Sequence, residues 1–195
     1  MRLRETIQVH ANFWMRCTER GKYVPGTLRE GHNVFTTVGR EWLAKLCGWQ
    51  TIGSPDIAFT NKRVRWVNVG TGTQAETVNV SALVTPSLIT ATEYLAEIDE
   101  VQFPTTGQAR FIKEFSPQEI SIPSQPVVAI TEAGLIVDLY PVSTAGGTLD
   151  SAAPGVDTIQ DPTASVHPLV AYHSFAPVNK TPDYGLEIRW EFRFA

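Results

Sequence analysis

The first candidates for chemistry are the glycines of Gly70-Thr-Gly-Thr73. Such spacing turns backbone amides toward a phosphate when a Lys-Ser/Thr pair closes the loop and a helix follows. Neither is present, so the segment reads as a glycine-assisted turn at the end of a strand. Glu97, Asp99 and Glu100 gather carboxylates of the kind that hold a cation. The spacing of a calcium loop is missing and Leu95, Ile98 and Val101 are interleaved among them, so a solvated face is expected. His10, His32, His167 and His173 show no zinc-ligand spacing, and no serine sits in a G-x-S-x-G elbow. Cys17 and Cys47 each lack the second thiol of a C-x-x-C site and are read as small unpaired core residues. A glycosidase needs two carboxyl groups across a cleft, which the 97–100 cluster does not supply. The expectation is therefore a non-enzymatic chain with no catalytic, metal-binding or cofactor-binding residue and no cofactor.

Bulk properties narrow the class further. The chain has 195 residues, 43% hydrophobic and 18% charged, enough for one folded domain with a real core. A formal charge of -4 argues against a nucleic-acid partner, which requires Lys and Arg gathered on one face. The basic start at Arg2 and Arg4 does not lead into the apolar core of a signal peptide, and no stretch reaches the length of a membrane-spanning helix. Neither a nucleic acid nor a membrane is expected as partner.

The elements that would position these residues are mostly strands. Ile7, Val9, Ala11, Phe13, Met15 and Cys17 alternate with Gln8, His10, Asn12, Trp14 and Arg16, a half-buried antiparallel strand. Trp14 is the one large aromatic on its outer face and a candidate contact residue. Leu186, Ile188, Trp190, Phe192 and Phe194 alternate with Glu187, Arg189, Glu191 and Arg193, a strand expected in the middle of a sheet. Further strands are expected at Val64–Val69, Arg110–Phe115, Gln118–Ile122, Val127–Thr131, Leu135–Tyr140 and Val166–Ser174, punctuated by prolines. One short helix is expected after Thr36 and Thr37, with Val38, Trp42 and Leu46 on its core stripe and Gly48 as its stop. Trp42, Trp49, Trp66 and Trp190 are read as mainly core, with Trp49 the second choice after Trp14 for exposure. The predicted fold is mainly β, a β-sandwich or jelly roll with one short helix and long loops. It forms a single domain over 1–195, with an N-terminal arm at 1–6 and a loop at 143–162 rich in small and polar residues.

Four pieces in order also carry a family resemblance. Gly31-His-Asn-Val-Phe-Thr-Thr-Val-Gly-Arg-Glu-Trp-Leu-Ala-Lys-Leu46 is similar to an asparagine–apolar–Thr–x–x–Gly lead-in to a short helix. Val64-Arg-Trp-Val-Asn-Val-Gly-Thr-Gly-Thr-Gln-Ala75 resembles a strand of the form Y-I-A-V-G-T-G-T followed by a small-residue turn, Ile130-Thr-Glu-Ala-Gly-Leu-Ile136 resembles an E-A-G-L-F strand, and the alternating end with Trp190 resembles a closing strand. This pattern occurs in structural proteins of tailed-bacteriophage virions. The chain departs from it at Val80-Ser-Ala-Leu83, where the family carries D-T-A-L, and in the 143–162 loop.

The resemblance implies a virion protein made in the host bacterial cytoplasm, in the first instance a capsid decoration or cement protein that stabilises the head through lattice contacts. The alternative it leaves open is a tail, collar or fibre-attachment component. The implied partners are further copies of the chain in a homo-oligomer together with the major capsid protein, or tail and portal-vertex proteins in the alternative. The 1–6 arm and the 143–162 loop are the segments expected to reach them.

Overall fold

A computed structural model describes residues 9–40, 43, 64–91, 93–137 and 169–194. Their strands are β1 (Val9–Glu19), β2 (Lys22–Tyr23), β3 (Arg29–His32), β4 (Val34–Phe35), β5 (Val64–Gly70), β6 (Ala96–Glu97), β7 (Glu100–Gln102), β8 (Gln108–Phe115), β9 (Val128–Val137), β10 (Leu169–Lys180) and β11 (Gly185–Phe194). They form two antiparallel sheets, the first in the order β2-β1-β11-β8-β7 with β3 also on β1, the second in the order β4-β10-β9-β5-β6. The β1–β2 hairpin turns through Arg20 and Gly21, both at positive φ (49° and 77°), the backbone hand that matches strand twist.

The period-two pattern of β1 and β11 becomes a two-faced sheet. Phe13 lies opposite Trp190 and Met15 opposite Ile188, all fully buried, while Trp14 lies opposite Arg189 and Arg16 opposite Glu187 on the outer face. As the alternation predicts, β11 is central, between β1 and β8. The inner face meets β5, β9 and β10 in one core, where the Phe13 ring packs edge-on to Trp190 at 4.8 Å and Phe35 of the second sheet meets Phe192 at 5.4 Å. The result is a β-sandwich, as expected.

The second sheet is covered on both faces. Val80, Leu83 and Leu95, from the connection between β5 and β6, pack with Trp66, Ile136, Leu169 and Tyr172 as a second apolar layer outside it. Hence β9 is buried almost continuously, as strands covered on both sides are.

Four expected strands differ. Gln118–Ile122 is a turn: Ile120 sits at φ 69° and is fully buried, and Glu119 and Ser121 donate to Ser116 and Glu119 carbonyls. Its alternating isoleucines anchor a loop to the core. Val127–Thr131 and Leu135–Tyr140 are parts of one strand, β9, as far as Val137. The inward residues are Val128 and Ile130, then Ala133, Leu135 and Val137, so the alternation slips by one midway. Opposite the slip, Phe175, Ala176 and Pro177 of β10 bulge across from Thr131. The fourth, Val166–Ser174, begins at Leu169 among the described residues and continues through the bulge to Lys180.

At the helix start Thr36 is the cap: its Oγ1 accepts from the Gly39 amide at 3.0 Å, and its hydroxyl donates to the Leu169 carbonyl of β10. Residues 37–40 and 43 are helical, and Leu43 packs on the core. Trp42, Leu46, Cys47, Gly48, Trp49, His167, the 1–6 arm and the 143–162 loop lie outside the described residues.

Candidate functional site

The two glycine motifs meet at one buried carboxylate. Register places Glu132 of β9 directly opposite Gly70 of β5, with its side chain on the outer face of the second sheet. Glu132 is fully buried and accepts four hydrogen bonds, from Gly72 N (3.2 Å) and Thr85 N (2.9 Å) at Oε1 and from Val84 N (3.1 Å) and Tyr172 Oη (3.1 Å) at Oε2. Thr131 Oγ1 donates to the Gly72 carbonyl at 2.6 Å, and Thr71 N to the Thr85 carbonyl at 2.9 Å. The Gly72 amide of the turn is thus aimed at an anion after all, together with the amides of Val84 and Thr85, and the anion is the protein's own carboxylate. The glycines are required by space, since a Cβ on Gly70 or Gly72 would lie 2.5 Å and 2.7 Å from Glu132 Oε1.

Gly134 completes the arrangement: a Cβ there would lie 2.4 Å from Leu169 Cδ1 and 2.6 Å from Leu83 Cδ1. The E-A-G-L piece therefore supplies the carboxylate that ties down the 71–86 segment and the gap into which Leu83 fits. Burial, then the neighbouring Glu132 charge, raises the Tyr172 pKa above its ordinary value, so the phenol stays a donor. With both carboxylate oxygens doubly bonded, this cluster is a structural clasp with no group available to a substrate.

A second cluster tests acid–base chemistry. His173 of β10 lies between Phe13 and Phe175, with Nδ1 2.7 Å from Glu76 Oε1 but off the line of a good hydrogen bond. The same oxygen accepts from Ser174 N at 2.6 Å and Ser174 Oγ at 3.3 Å. A nucleophile would have to sit on the far nitrogen, but His173 Nε2 abuts the backbone at Gly31, 2.7 Å from where a Cβ would stand. Burial lowers the His173 pKa, the Glu76 charge opposes that and His32 adds to it. The geometry is that of a seam, reinforced by Arg29 of β3, which donates to the Ala176 and Pro177 carbonyls of the β10 bulge, both at 2.9 Å.

Lys180 is a third buried ion. Its Nζ donates to the Pro117 and Thr181 carbonyls at 2.8 Å and 2.9 Å, and burial lowers its pKa to about 8. Cys17 is a free, fully buried thiol whose pKa burial raises, the inert core residue the sequence suggests.

The outer face of the first sheet is a ladder of ion pairs. Glu187 is shared by Arg16 (3.0 Å) and Arg189 (Nη2, 3.0 Å), and Glu191 by Arg110 (2.8 Å) and Arg193 (3.1 Å). Burial alone would raise the Glu191 pKa, but hydrogen bonds from Arg110, Arg193 and Gln108 outweigh it and hold the group below its ordinary value. Trp14 lies half-buried in this face, in a shallow groove of about 130 Å³ with Leu28, Arg16, Arg110, Arg189 and Glu187.

The acidic run 97–100 marks the corner where the chain passes from the second sheet to the first. Arg65 pairs with Glu97 at 3.0 Å, Lys113 with Asp99 at 2.9 Å, and Glu100 accepts from the Gln102 amide at 2.9 Å. The run is divided among these partners rather than gathered round a cation, and no metal-holding cluster occurs among the described residues. His10 lies on β1 and His32 on β3, the latter near enough to His173 to act on it.

Sequence reasoning missed Glu132, Tyr172 and Glu76. The one available signal for Glu132 was a charged residue inside an otherwise apolar strand, a placement that demands partners. Comparison with family models, with curated proteins and with solved structures finds no match to this chain.

Proposed function

We propose that the chain is a structural subunit of a tailed-phage particle, with capsid decoration as its first placement. The observation that carries this reading is that the pieces of the resembling pattern converge on one piece of architecture. The helix lead-in bonds to β10 through Thr36 and to the covering segment through Thr37 N to the Val78 carbonyl. The glycine turn and E-A-G-L strand close on Glu132, and Trp190 is fully buried in the central strand. Residues recurring as a pattern for architectural reasons suit a protein whose product is a shape.

Such a subunit works through complementary surfaces repeated on a lattice, where modest contacts add up over many copies. The test is its copy number and position in purified particles, by specific labelling, electron microscopy and quantitation against the major shell protein. Hundreds of copies over the head support decoration. A dozen or fewer at one vertex moves the chain to the tail or collar, and absence from particles overturns the proposal.

A further inference from the structure

Strand β7 is one edge of the first sheet, β2 and β3 forming the other. Among the described residues it has β8 on one side and no strand on the other. Natural edges are guarded by Lys, Pro or a covering loop, because an open row of amides and carbonyls invites another strand. Here Val101 and, just beyond the strand, Phe103 are 43% and 75% exposed, Phe103 being the most exposed large hydrophobic of the described residues. Glu100 on β7 and Glu114 on β8 add exposed carboxylates beside this edge.

The complement lies in the chain's own sequence. Residues 1–8 read Met-Arg-Leu-Arg-Glu-Thr-Ile-Gln, apolar at Met1, Leu3 and Ile7 and basic at Arg2 and Arg4, in the same odd-even phase that β1 continues. On β7, Val101 faces the side of Phe111 and Trp190, whereas Glu100 and Gln102 face the outer side. A strand laid on this edge with Leu3 beside Val101 would place Arg2 and Arg4 along the row of Glu100 and Gln102. The segment would leave from Val9, which pairs with Phe194 at the end of the sheet where Phe194 N bonds the Gly107 carbonyl of the β7–β8 hairpin.

We infer that the β7 edge takes residues 1–8 of a second copy of this chain as an added strand. β1 and β7 lie three strand spacings apart in one sheet, about 14 Å, so an arm of about 26 Å folded onto its own β7 uses over half its length crossing the sheet end, whereas the arm of a neighbouring copy pairs along its whole length. Donor and acceptor are different surfaces, so the contact is heterologous and generates a ring or an open chain of subunits rather than a two-fold pair. This deepens the particle-subunit reading but fails separately from it, because it is tested on the isolated chain.

The first readout is sedimentation velocity of the full chain, with Val101→Pro as the edge variant. The Ile112 carbonyl accepts from Asp99 N and so points to β7, as does that of Arg110; Gln102, opposite Arg110, therefore bonds β8 while the Val101 N–H points outward, so Val101→Pro removes an outward donor and leaves the ladder in place. The expected result is concentration-dependent association, weakened about tenfold or more in Val101→Pro and equally on deleting residues 2–6, with unchanged melting temperature.

The second readout mixes Leu3→Cys chains with Val101→Cys chains, each in a Cys47→Ser background, and expects a disulfide between the two. A chain monomeric at about 100 µM overturns the inference. So does association indifferent to both changes, or a bond that forms only within a chain carrying both cysteines.

Discussion

Replacing Glu132 with Gln changes almost no volume and puts the clasp under direct test. The amide keeps one oxygen, which can still accept from Gly72 N and Thr85 N, now as a neutral acceptor. The other oxygen becomes an NH2 group facing Val84 N and Tyr172 Oη, which lie 3.1 Å from Oε2 in the native chain. Tyr172 can rotate its hydroxyl and accept, but the Val84 amide then confronts a donor and is left unsatisfied. Charge-assisted bonds contribute roughly 1.5–3 kcal/mol each against about 1 for neutral ones, and an unsatisfied buried donor costs about 1–3. Two weakened bonds, each losing about 0.5–2 kcal/mol, and one orphaned amide sum to about 2–7 kcal/mol.

Guanidinium unfolding read by tryptophan fluorescence and by circular dichroism should show the midpoint fall with the slope unchanged. Amide exchange should accelerate at Gly72, Val84 and Thr85 before it does in β11. Tyr172→Phe, which removes a single charge-assisted bond, should cost about 1.5–3 kcal/mol in the same assay. A loss below about 1 kcal/mol for Glu132→Gln, or exchange that rises uniformly over the chain, would refute the view that this carboxylate holds the 71–86 segment down.

Gly134→Ala should cost about 1–3 kcal/mol through overpacking against Leu83 and Leu169, and calorimetry should show partial recovery in the double variant with Leu83→Ala. Trp190→Ala, at a fully buried position in the central strand, should cost about 3–5 kcal/mol, whereas a near-neutral melt would mean the inner face is misassigned. His173 has a folded pKa below its ordinary 6.5, so the native state resists protonation that the unfolded chain accepts. Its contribution is therefore fully present above pH 6.5 and is lost as pH falls through the lowered value. Denaturation midpoints measured from pH 7.5 to 5 should decline in the native chain and flatten in His173→Gln, the Glu76 and His32 charges being common to both.

Where one physical rule dominates, the sequence is legible. β1 and β11 bury one face and expose the other, so their period of two gives strand, face and the central place of Trp190 directly. Thr36 reads as a cap because its hydroxyl and the amide three residues on form a local contact. The reading fails where non-local contacts override the pattern. The break in alternation within 128–137 looks like two strands because the bulge that absorbs it lies on β10. Ile120 and Ile122 look like strand residues because a turn with an inward isoleucine has the same short-range period. Nothing within the sequence near Gly72 announces that its amide is satisfied by a residue 60 positions away. The seam at Glu76 and His173 is hidden likewise, its partners being 97 positions apart by number and joined only when β10 folds beside the β5–β6 connection.

The clasp also explains why the two sheets meet their surroundings differently. Fastening the 71–86 segment over the second sheet removes that sheet's outer face from any partner, since Trp66, Ile136, Leu169 and Tyr172 are already covered by Val80, Leu83 and Leu95. The first sheet has no such cover among the described residues: its outer face ends in arginines shared between two buried carboxylates, with Trp14 between them, and its margin at β7 carries exposed Val101 next to Phe103. Ion pairs already satisfied within one face add little to docking, because a partner must displace them before it gains anything. An open backbone edge carries no such obligation. Its unpaired amides and carbonyls exchange water for a strand and cover apolar side chains in the same step. Of the surfaces the fold leaves uncovered, the β7 edge is therefore where association gains most.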